Sequence, residues 1–247
     1  MKLKTVFLIV SVLMLYQHIY ATTEMFQPSL SKKEIKQVQN SLSQQQQAMI
    51  LIAAFAAMGD LSKLNQALNT GLDQGLTINE IKEILIQTYA YAGFPRSLNA
   101  LNEFMQVLKN RKENGIQDNE GKANSALAQD YQALVQGTQN QTQLIGQPVK
   151  GALFEFAPAI DEYLKAHLFG DIFSRDVLNW QDREIATVSM LAVLQGVDSQ
   201  LLSHLNIAKA QGVTFPQFKE MQVILDGKVN AQAGQRFQKA FVGLQDQ

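Results

Sequence analysis

The chain has 247 residues, 21 Lys and Arg against 22 Asp and Glu, a formal net charge of −1, and no cysteine. A near-neutral balance without charged runs leaves no electrostatic footprint for nucleic acid or for an anionic membrane surface. The missing thiols exclude disulfides, a Cys-x-x-Cys redox pair, a cysteine nucleophile and a thiolate metal site.

Residues 1–21 read as a secretory signal peptide: Lys2 and Lys4, a nearly unbroken apolar run from Thr5 to Tyr16, then Ala21 as a small residue at the cleavage point. The apolar run is about 12 residues, short of the roughly 20 that span a bilayer as a helix. The expectation is an exported protein, periplasmic or secreted, with no membrane attachment once the signal is removed. An uncleaved anchor is the alternative.

Beyond the signal the pattern is helical. Proline is rare, Ala, Leu and Gln are abundant, and no strand-like alternation of useful length occurs. Ala48 to Met58 is apolar all round, as a buried helix would be. Leu61, Leu64, Leu68 and Leu72 line one face of the next helix. Gly75 is placed to end it, and Thr77 with Glu80 opens another as a capping box. That helix runs to about Tyr91. Gly93 and Pro95 break it, and a further helix ends in a basic last turn, Lys109 to Lys112. Residues 113–150 are rich in Asn, Gln, Gly and Asp. They read as a connector with a short helix at Ser125 to Val135, of a composition that suits a mobile segment.

The second half echoes the first. With Gly59 placed on Gly196, Ser62 falls on Ser199, Leu64 on Leu201, Leu68 on Leu205, Asn69 on Asn206, Gly75 on Gly212 and Thr77 on Thr214. One helical unit used twice, its copies burying their apolar faces against each other as a pseudo-dimer, accounts for this order. The boundaries are 22–112 for the first domain, 113–150 for the connector and 151–247 for the second.

Two segments carry a family resemblance: "ALNTGLDQGLTINEIKEILIQTYAYAGFPRSLNAL" in the first copy and "FGDIFSRDVLNWQDREIATVSMLAVLQGVDSQLLSHLNIAKAQGVT" in the second. They resemble the carboxymuconolactone decarboxylase family, over roughly Leu42 to Leu108 and Phe156 to Leu225, in its tandem arrangement. The resemblance implies an all-α alkylhydroperoxidase D-like fold and a homo-oligomer, with a trimer favoured. Members with peroxidase chemistry use a Cys-x-x-Cys pair. Here that stretch reads Gly196-Val197-Asp198-Ser199-Gln200, so the peroxidase machinery is missing.

The candidate catalytic residues are His204 and Glu184. Asn179 reads as the N-cap of a helix from Trp180 to Leu194, with Asp182 in its first turn. The chain turns at Gly196, and Asp198 or Ser199 caps the next helix. In an antiparallel hairpin Glu184 and His204 are offset by about 6 Å along the axis, so they meet if both face the same side. A carboxylate beside a histidine fixes its tautomer and suits it to acid or base work. The resemblance adds that His204 falls on the family's histidine position. Arg175 and Arg183 are candidates for binding a substrate carboxylate, with Trp180 and Tyr91 as pocket walls. Each has a plain alternative: a core pair for the histidine and glutamate, surface ion pairs or helix caps for the arginines, ordinary packing for the aromatics. The first copy has Ala67 where the second has His204. His167 is expected to be structural, near a helix end. Two separated histidines without paired acidic spacing make a poor metal site. The reading is therefore a cofactor-independent acid/base enzyme, a lyase acting on a small carboxylate or lactone. The alternative is a non-catalytic binding or scaffold protein that kept the fold.

Overall fold

The computed structural model describes residues 41–246, and the signal segment expected at 1–21 lies outside them. The described residues form eleven α-helices and two π-helical stretches, with no strand among them. The all-α expectation is met. None of the described helices is long and apolar enough to cross a membrane.

Helix α1 (Gln44–Met58) starts where Ser43 accepts from the Gln46 amide and the Gln46 side chain caps Ser43 in return. Nine of its residues are buried, so it forms the centre of the core. Gly59, at φ 76°, ends it in a conformation that costs glycine little. Helix α2 (Leu61–Asp73) buries Leu64, Ala67, Leu68 and Leu72 on one side. Helix α3 (Ile78–Ala92) opens with the expected Thr77–Glu80 capping box. Helix α4 (Phe94–Glu113) follows Gly93, with Pro95 in its first turn.

The same order recurs in α8 (Trp180–Val193), α9 (Asp198–Ala210), α10 (Phe215–Ile224) with the π-helical stretch Leu225–Val229, and α11 (Ala231–Gln245). Gly196 and Gly212 repeat the positive φ of Gly59 and Gly75, and Thr214 with Gln217 repeats the capping box. Helices α1 and α8 pack against each other at the centre. Asp198 is the first residue of α9 rather than its cap. Val197 precedes it and no side chain caps that end.

The connector is pinned, and its helix lies later than the composition suggests, at α5 (Ala133–Ile145). The reason is tertiary. Ser125, expected to open that helix, donates from its amide and its hydroxyl to Asp176, and the preceding Asn124 accepts from the Asp176 amide. Upstream, the Ile78 and Asn79 amides donate to the Asn119 and Glu120 carbonyls, and Arg111 forks onto Asp118. Helix α5 then crosses the π-helical stretch Leu164–Ile172 with backbones in contact. A methyl group on Gly137 would sit inside the shell of the Lys165 carbonyl, and one on Gly170 inside that of Ala133. Between these two segments lie the short helices α6 (Ala152–Phe156) and α7 (Pro158–Tyr163). His167 falls inside the π-helical stretch, bonded to Tyr89 and Asp171.

Candidate functional site

Glu184 is the fifth residue of α8 and His204 the seventh of α9. The hairpin turn at Gly196 brings them together. His204 Nδ1 lies 2.9 Å from Glu184 Oε2, within hydrogen-bond distance. Glu184 is fully buried and His204 is 9% exposed. A carboxylate on Nδ1 holds the ring as the Nδ1–H tautomer and leaves the Nε2 lone pair to act as base. No described residue hydrogen-bonds to Nε2.

Tyr91, from α3 of the first half, meets the imidazole edge-on, ring centroids 5.5 Å apart at 83°. Its hydroxyl is buried without a well-formed hydrogen bond. Burial, reinforced by the Glu184 carboxylate, pushes its ionisation far above the usual tyrosine range. It therefore stays a neutral O–H donor. Two more polar atoms nearby are buried without partners, Glu184 Oε1 and Arg183 Nε. Tyr91, Glu184 and Arg183 thus mark an unusually polar seam, because native cores satisfy nearly all such groups.

Tyr89 takes the other side of α3, stacked on Phe94 and bonded to His167. Only one of the two tyrosines reaches the seam, as their spacing implies.

The two arginines meet on Glu83, which the sequence alone does not single out. Arg175 forks onto it through Nε and Nη2, at 2.9 and 2.7 Å. Arg183 reaches its other oxygen through Nη2 at 2.8 Å. Burial alone would raise the Glu83 pKa, but the two guanidiniums outweigh it and hold the carboxyl below its usual range. Arg183 is fully buried, and burial lowers its own pKa despite Glu83. Its remaining contacts are the Gln87 side chain and the Arg175 carbonyl. Gln87 in turn donates to Thr187 and to the Arg183 carbonyl. Glu83, Gln87 and Tyr91 stand at i, i+4 and i+8 on α3. That polar stripe on a helix entering the core was the signal available in the sequence.

The six candidates fall into two groups. Glu184, His204 and Tyr91 form one cluster. Arg175 and Trp180 line a cleft of about 560 Å³ together with Tyr131, Asn140, Phe173 and Ser174, and Glu184, His204 and Tyr91 do not line it. Trp180 donates its indole N–H to the Phe173 carbonyl. It also packs, with Tyr91, against the apolar cluster of Leu144, Leu168, Phe169, Ile172, Phe173 and Ile207. Arg183 stands between the groups, bonded to the Arg175 carbonyl and adjacent in sequence to Glu184. No group of three or more His, Asp or Glu able to hold a metal occurs among the described residues.

Comparison with known proteins matches residues 26–104 to the carboxymuconolactone decarboxylase family. A stretch of 66 residues is 29% identical to an uncharacterized protein of Methanocaldococcus jannaschii, covering 27% of this chain and 62% of that relative. The chain therefore spans under two thirds of the relative it matches.

Proposed function

We propose that the chain, whose residues 26–104 match the carboxymuconolactone decarboxylase family, is a cofactor-independent acid/base enzyme acting on a small carboxylate or lactone. The single observation that carries this reading is the buried Glu184–His204 pair, 2.9 Å apart, with the Tyr91 ring against it. In this reading His204 Nε2 takes a proton from the substrate or returns one. Glu184 stabilises the imidazolium formed, and Tyr91 donates to developing negative charge. Arg175, at the mouth of the neighbouring cleft and one-third exposed, attracts the substrate carboxylate, and Trp180 forms its wall. The basic and apolar N-terminal pattern supports export to the periplasm or beyond. The family resemblance supports a homo-oligomer, a trimer by preference.

The test is turnover of a panel of γ-lactone and β-keto carboxylates by the full chain beside His204→Gln. The reading expects activity that falls by about two orders of magnitude or more in the variant. One observation favours a second reading, a scaffold or binding protein: the cleft beside Arg175 does not open onto His204. No turnover of any panel member selects that reading, whereas turnover that His204→Gln leaves unchanged removes His204 from the chemistry.

A further inference from the structure

The Glu184–His204–Tyr91 cluster has a positional counterpart in the other half. Glu184 is fifth in α8, and the fifth residue of α1 is Ala48. His204 is seventh in α9, and the seventh residue of α2 is Ala67. Tyr91 is fourteenth from the start of α3, and the fourteenth position from the start of α10 is Lys228, in the π-helical stretch. Thr187, eighth in α8, corresponds to Leu51 in α1. Where one half carries Glu184, His204 and Tyr91, the other carries Ala48, Ala67 and Lys228, with Leu51 in place of Thr187.

Three of these counterpart positions, Leu51, Ala67 and Lys228, line a cleft. Where His204 and Tyr91 pack edge-on, the counterpart is a cleft of about 270 Å³ lined by Leu51, Phe55, Lys63, Ala67, Thr70 and Lys228, with Gln66 beside them. Its floor is apolar: Phe55 and Ala67 are buried and Leu51 partly so. Its rim is cationic. Lys63 rises from α2 with its ammonium 5.6 Å above the Phe55 ring and only a loose contact to Asp60, at 3.8 Å and half exposed. Lys228 comes from the other half and makes no ion pair among the described residues. One ammonium over an aromatic floor, with a second lysine in the lining, fits a ligand with one flat apolar end and one anionic end. The volume lies just under the roughly 300 Å³ at which pockets for drug-sized ligands begin, so the ligand is small.

We propose that this second seam is a binding site for a small apolar monocarboxylate, held by Lys63 and Lys228 over Phe55. The site is separate from the Glu184–His204 cluster and does not depend on that cluster being catalytic.

Benzoate is the probe, with benzamide as its neutral counterpart, titrated into the full ¹⁵N-labelled chain. The expected result is saturable shifts at the amides of Lys63, Ala67 and Lys228, absent or much weaker with benzamide. Lys228→Gln and Lys63→Gln should each weaken benzoate binding by about threefold or more, the scale of a part-exposed ion pair. Both lysines are exposed, so the variants keep the fold, which the rest of the spectrum checks. Raising the salt should weaken binding as well. The proposal is overturned by benzamide binding equally well. It is also overturned by shifts that the lysine variants leave unchanged, by shifts confined to the surroundings of Arg175 and Trp180, or by no saturable shift.

Discussion

Arg175 and Arg183 share one carboxylate, Glu83, at 2.7 and 2.8 Å, and through it the second half of the chain is tied to helix α3 of the first. The counterpart contact runs the other way. Gln47 of α1 donates to Glu220 of α10 at 2.9 Å, and Gln46 bonds Asp182 across the α1–α8 contact. Each half therefore reaches into the other, but only one direction carries a fully buried guanidinium. Replacing Glu83 with Gln strands the fully buried Arg183. Removing one partner of a buried pair costs about 3–5 kcal/mol, and the low end applies because Arg175 is partly solvated. Chemical denaturation of Glu83→Gln should show a loss of about 3 kcal/mol.

The same carboxylate makes the protein acid-sensitive. Its folded pKa is depressed, so the folded state binds fewer protons than the unfolded one. The stability it supplies is complete above the unfolded value of about 4.3 and is lost as pH falls through the folded value. Stability measured from pH 6 downward should drop below about pH 4, and Glu83→Gln should flatten that limb.

Asp182 acts with the opposite sign. Burial raises its pKa, although Gln46 and Asn179 donate to it. The folded state therefore holds the proton more tightly. Stability from this group is greatest below its unfolded value of about 3.9 and falls as pH rises through the raised folded value. Asp182→Asn should remove that dependence. The difference between wild type and variant, followed by thermal melts from pH 3 to 7, should shift in the variant's favour as pH rises.

Gly137 tests the backbone crossing. Its substitution by Ala forces α5 away from the Leu164–Ile172 stretch, with backbone rather than a flexible side chain in the way. A loss of about 3 kcal/mol or more, or failure to fold, is expected. Gly227→Ala is the control, because a methyl group there meets nothing within 4 Å; it should change stability by less than about 0.5 kcal/mol.

Tyr91→Phe separates stability from chemistry. Its hydroxyl is buried and poorly bonded, a state that costs about 1–3 kcal/mol. The variant should be at least as stable as wild type. If the tyrosine donates to developing charge, turnover should fall by about a hundredfold.

What the sequence made legible was local. The capping box at Thr77 and the N-cap at Asn179 depend on residues three apart, and Gly75 marks an end by its own conformation. The Glu184–His204 contact was legible because a short hairpin fixes the axial offset of its helices. The connector was not, since its conformation is set by Asp176 and by the α3 start, far away in sequence. Glu83 and Gln87 are illegible for a different reason: on an amphipathic helix a charge reads as solvated surface until its partner, here Arg183, is known.

The most direct measurement is the tautomer of His204, read from ¹⁵N chemical shifts of ring-labelled protein near neutral pH, with His167→Gln for assignment. The account predicts an Nδ1–H ring bonded to Glu184 and a bare Nε2 that shifts when Glu184 is changed to Gln. An Nε2–H ring, or a spectrum indifferent to Glu184→Gln, would contradict it, because His204 would then have no basic nitrogen to offer a substrate.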